Sequence, residues 1–67
     1  MMLVIDNLGK ELAELHSNPQ INVGDEVVIG GTLYKVKRVT HMLETIQMSG
    51  AGETVERTVV TVMRFYR

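Results

Sequence analysis

The alternation of apolar and polar positions is clearest in Val23-Gly24-Asp25-Glu26-Val27-Val28-Ile29-Gly30-Gly31-Thr32-Leu33-Tyr34-Lys35-Val36-Lys37-Arg38-Val39. Two β-rich runs flank Gly30-Gly31, and a two-residue hairpin loop needs positive φ at its centre, which glycine reaches without steric cost. With the two glycines as the loop, counting outward sets Ile29 against Thr32, Val28 against Leu33, Val27 against Tyr34, Glu26 against Lys35 and Asp25 against Val36. Opposed residues share a face. One face therefore carries Val27, Ile29, Tyr34 and Val36, and the other carries Val28, Leu33 and the opposite-charge pair Glu26 and Lys35.

Beyond Val36 the same phase would drive Arg38 into the core and expose Val39. A bulge at Lys37-Arg38 removes the conflict, because one extra residue resets the phase and bends the strand, as small barrels require at their corners. Val39, His41 and Leu43 are then expected to face inward. Glu44 to Met48 reads as a third strand, Ser49-Gly50-Ala51-Gly52-Glu53 as a hairpin loop, and Thr54 to Tyr66 as a long final strand apolar on both faces. Such a strand is wrapped on both sides or sits in an interface between subunits.

Toward the N-terminus the period changes. Ile5, Leu8, Leu12 and Leu15 recur at offsets suited to one face of a helix. The spacing predicts an amphipathic helix over about residues 5–16, capped by Asp6 or Asn7 and stopped by Ser17-Asn18-Pro19. Gly9 opposes it, and the alternative is a strand from Met2 to Ile5 followed by a helix from Leu8 to His16. One domain is expected over residues 1–67, the helix first and the β barrel over about 21–67, since a chain of this length buries only about 60% of its unfolded surface and has no room for a second core.

Composition changes this picture in three ways. The hydrophobic share is 45% but includes only two Tyr, one Phe and no Trp, so the core must be built from Val, Ile, Leu and Met. Cysteine is absent, which leaves oligomerisation as the common staple for so small a domain and suits a reducing cytoplasm. No apolar run approaches the roughly 20 residues of a membrane span, and Met1 to Ile5 lacks the length and basic flank of a secretory signal, so a soluble protein without a membrane partner is expected.

Charge is divided. Residues 1–30 hold five acids and one Lys, a net of −4, while residues 31–67 hold six bases and three acids, a net of +3. The two halves attract, or the basic half faces an anionic partner. Its bases are Lys35, Lys37, Arg38, Arg57, Arg64 and Arg67.

No catalytic constellation stands out. Ser17 and Ser49 lie in turn-forming contexts, His16 and His41 fall on different elements without metal-ligand spacing, and the Gly50-Ala51-Gly52 loop precedes a strand where a phosphate cradle needs a helix. His16 reads more simply as a helix C-terminal residue, and His41 as a half-buried strand residue. Neither an enzyme nor a cofactor is expected, and no metal. The leucine stripe of the expected helix is better spent covering its own barrel than a partner's groove.

Residues 23–39 resemble the opening hairpin of small SH3-like barrel proteins, a type frequent among short uncharacterised proteins of bacteriophages and prophages. The chain departs from the nucleic-acid-binding KOW barrels in lacking their glycine after the second basic turn, and from Src-homology domains in lacking an aromatic groove. The resemblance implies an accessory protein that acts by binding a host or virion protein.

The fold expected is mainly β (α+β): a small, partly open SH3-like antiparallel barrel of four or five strands with one short N-terminal amphipathic helix. The function expected is a non-catalytic protein–protein interaction module, a homodimer or higher oligomer, with Leu33, Lys35, Lys37, Arg38, Arg64 and Tyr66 as its binding surface. A nucleic-acid-binding barrel using the same bases is the first alternative, and a structural subunit of a larger, virion-like assembly the second.

Overall fold

The computed structural model describes the backbone of residues 1–48 and 51–65 and the side chains of 1–45 and 52–65. Five strands run β1 (Met2–Asp6), β2 (Glu11–Leu15), β3 (Glu26–Ile29), β4 (Thr32–Met48) and β5 (Ala51–Arg64). They form one sheet in the order β2-β1-β5-β4-β3. The protein is thus mainly β, as expected, with two corrections: no helix occurs among the described residues, and the sheet is mixed, because β1 runs parallel to β5.

The residues expected to be helical form a hairpin. Asp6 and Lys10 close it through a backbone bond of 2.9 Å from Asp6 N to Lys10 O, and the Asp6 carboxylate accepts from Leu8 N at 2.9 Å and Lys10 N at 2.8 Å. Gly9, which weakens a helix, has φ 86° and supplies the left-handed residue of a three-residue hairpin loop. The leucine spacing misleads for a local reason. Val4 pairs with Ala13 and Ile5 with Glu11, so Leu12 is an unpaired extra residue in β2. That bulge resets the alternation and lets Leu12 and Leu15, three apart as in a helix, both pack on the core. Leu8, the second residue of that stripe, is 88% exposed at the loop.

The β3–β4 hairpin follows the sequence register residue for residue, from Glu26 opposite Lys35 to Ile29 opposite Thr32. Its loop glycines have φ 57° and 81°, the paired positive values of a type I′ turn. Val36 N bonds Asp25 O at 2.8 Å, and Gly24 N bonds Val36 O at 2.9 Å, which carries the pairing one step past β3. The expected bulge is present: Val36 pairs with Val62 and Arg38 with Thr61, leaving Lys37 as the extra residue. Both Val36 and Val39 consequently face the core.

That core lies on the concave side of a curled sheet. Met2, Val4, Val36, Val60 and Val62 are buried, and Leu12, Ala13, Leu15, Ile21, Val27, Ile29, Tyr34 and Val39 close around them. The sheet is left open between its edge strands β2 and β3, where an apolar groove of about 360 Å³ runs over Val4, Ala13, Ile21, Val27 and Ile29.

No separate third strand occurs between residues 44 and 48. β4 continues without interruption to Met48, Gly52 and Glu53 already belong to the β5 ladder, and only residues 49–50 of the expected loop fall outside the described ones. From Met42 and Arg57 outward, β4 and β5 pair only with each other, forming a projecting two-stranded arm. Leu43 has the inward phase expected of it but is 68% exposed, because no core extends that far.

Candidate functional site

Two surfaces bring polar groups together. The first is a groove of about 440 Å³ on the concave side, between the loop of residues 18–22 and the root of the arm. His41 Nδ1 lies 2.9 Å from Glu56 Oε1 and 3.5 Å from the hydroxyl of Thr58, which is buried. Since a carboxylate only accepts, Nδ1 carries the proton toward Glu56. Both neighbours contact the same ring nitrogen, whereas a proton relay needs the two nitrogens to serve different partners. The arrangement orients His41 and satisfies a buried threonine. His41 is more exposed than the half-buried strand residue expected, and His16, with no helix to terminate, sits in an exposed bend after β2. Among the described residues no three His, Cys, Asp or Glu side chains gather in a geometry that holds a metal ion.

The second surface is the convex face, where most of the residues singled out in the sequence come together. Ladder pairing puts Lys35 beside Met63 and Arg38 beside Thr61, with the bulged Lys37 between these rows. The bulge concentrates charge: an extra residue in β4 places three bases along the span facing three β5 residues. Lys35, Lys37, Met63, Arg64 and Phe65 line a depression of about 320 Å³. Arg64 opposes Tyr34 and so has the other phase, but its length brings it to the rim. Leu33 adjoins the depression, its carbonyl accepting from Phe65 N at 3.0 Å. Tyr66 and Arg67 lie outside the described residues.

The electrostatics differ from the sequence expectation at one point. Glu26 and Lys35 face each other across the ladder, yet they do not form an ion pair; the Lys35 ammonium lies 6.0 Å from the centroid of the Phe65 ring, at the outer reach of a cation–π contact. The depression therefore joins positive charge to an aromatic ring and a half-exposed methionine. Met63 and Phe65 escape sequence reasoning because that final run is apolar on both faces, and which phase faces outward is set by its neighbours β1 and β4. Arg57 stands apart: it lines a different depression with Met1, Leu3, Glu11 and Glu14, where β2 supplies the acids.

No protein-family model, curated protein or solved structure matches this chain. Among the described residues no helix is long and apolar enough to cross a membrane.

Proposed function

We propose that this protein is a non-catalytic binding module whose convex β4–β5 face takes an acidic, partly apolar protein segment. The observation that carries the reading is the composition of one depression, in which Lys35, Lys37 and Arg64 surround Met63 and Phe65. Bases at a rim steer and select an acidic partner, and the apolar centre supplies affinity that survives salt. Kinship with the SH3-like barrels belongs to the same proposal. It is supported by the type I′ hairpin and bulge within residues 23–39, while the parallel β1–β5 pairing departs from the antiparallel barrel expected.

A nucleic-acid partner is the second reading, favoured by the closeness of Lys35, Lys37, Arg38 and Arg64. A single described ring, Phe65, is available there for base stacking, which makes phosphate contact the main source of such affinity. Anisotropy titrations of the full chain against a labelled peptide of alternating Glu and Leu, and against single- and double-stranded oligonucleotides, separate the two. The proposed function requires peptide binding that persists between about 50 and about 200 mM salt, a range over which phosphate-dominated binding falls by orders of magnitude. Oligonucleotide binding that collapses over that range transfers the face to the second reading. Binding to neither overturns both.

A further inference from the structure

The projecting arm sets this molecule apart from a compact domain. Its radius of gyration is 14.1 Å, against about 11 Å for a compact chain of this length. Its accessible surface is 5124 Å², against roughly 4,200 Å² for a compact monomer of this mass. The excess of about 900 Å² resembles the roughly 800 Å² that each partner buries in a standard interface. The arm also opposes the convex face in charge. On the outward phase of Val59 the arm holds Glu44 and Glu53 against Arg57, a net of −1, while Glu56 lies on the concave side beside His41, and Met42 and Val55 are exposed on it. An acidic segment with exposed apolar side chains is what the face around Met63 and Phe65 accepts.

We propose that the occupant of the convex face is the arm of a second copy, in a two-fold dimer in which each copy's arm lies on the other's β4–β5 face. The proposal rests on the functional reading above and names the partner. The ladder supplies its register. Counted in paired rows from Thr40 and Val59, the row of Lys35 and Met63 is four steps one way, and the row of Glu44 and Val55 four steps the other. Both rows share the outward phase of Val59. A two-fold axis crossing the strands at the Thr40–Val59 row therefore sets Lys35 of each copy against Glu44 of the other, and Met63 against Val55. Arg38 then lies over Met42, within the same reach of Glu44. At the centre Val59 meets its own symmetry mate, with Leu3 beside it in the parallel pairing of β1 and β5. Lys35 thus meets Glu44 along β4, and Met63, Val59 and Val55 meet apolar partners along β5, where Arg57 falls on Thr61, at the roughly 10 Å spacing of stacked sheets.

Sedimentation equilibrium of the full chain over about a hundredfold range of concentration tests this by mass action. The expected result is a reversible dimer, twice the 7.5 kDa chain mass. Lys35→Glu and Glu44→Lys, each alone, should raise the dissociation constant about tenfold or more, because symmetry converts two attractive pairs into two repulsive ones. The double variant K35E/E44K restores the pairing with reversed sign and should return the constant to within about threefold of the parent. Circular dichroism of each variant verifies the fold. A monomer at every concentration, a dimer indifferent to both single reversals, or a double variant that stays dissociated overturns the proposal. The acidic peptide separates the two failures: a monomer that still binds it loses only the second copy as partner, and one that does not loses the functional reading as well.

Discussion

β4 and β5 form one continuous ladder in two contrasting environments. In the rows from Val36 and Val62 to His41 and Thr58, β1 flanks β5 and the loop and β3 close over the concave side, so that Val60 and Val62 are 0% exposed. A few rows further out the backbone pairing is unchanged, but Leu43 and Val55 face solvent. Backbone hydrogen bonding thus follows strand propensity along the whole hairpin, whereas burial follows the number of neighbouring elements. Two-stranded ribbons are marginal by themselves in water. The stability of this molecule therefore resides in the covered rows, and the arm is held by being rooted in them.

The sharpest way to break this contrast is to place a charge in the covered region. Val60→Asp buries a carboxylate among Met2, Val4, Val36 and Val62 without a partner, and it should abolish the cooperative urea transition and the native circular dichroism spectrum. A smaller effect is expected at the loop of the β3–β4 hairpin. Gly30→Val forces a β-branched side chain into φ 57°, and equilibrium denaturation should register a loss of about 1–2 kcal/mol. The space around Gly30 is open, so that cost is conformational and not a clash.

The arm should respond differently. Met42 and Arg57 face each other in the ladder, so replacing residues 43–56 by Asn-Gly joins them through a type I′ turn. The remaining chain should keep its urea transition with a change below about 1 kcal/mol at protein concentrations where it is monomeric. Loss of the transition would show that the arm supports the core. Smallest of all, Leu43→Ser should shift the midpoint by no more than about 0.5 kcal/mol equivalent, although this leucine has the same phase as Val39 and Val60.

The two bulges explain which parts of the fold and of the convex face are legible in the sequence. Lys37 announced itself because Val36, Arg38 and Val39 could not all be placed sensibly by unbroken alternation. Leu12 gave no such notice: an odd spacing between leucines satisfies either a helix or a bulged strand, and the turn chemistry of Asp6, Asn7 and Gly9 also suits a helix cap followed by a weak position. Lys35, Lys37 and Arg38 could be grouped because they are consecutive in one strand. Met63 and Phe65 could not be added to them, since each lies about 30 residues away and joins the bases only through the β4–β5 register.

Short-range physical chemistry accounts for what the chain by itself determined: the type I′ turn at Gly30-Gly31, the pairing of Glu26 with Lys35 that follows by counting, the bulge at Lys37, and a mainly β domain with a small aliphatic core. These depend on local sterics and on a period of two, which neighbouring residues specify completely. The parallel docking of β1 on β5, the conversion of an apparent helix into the β1–β2 hairpin, the opening between β2 and β3, and the outward phase of Met63 were decided only by tertiary structure. Each depends on residues far apart in sequence competing to cover the same apolar strand, and the side of β5 that becomes core is whichever face β1, β3 and the bulged β4 jointly enclose.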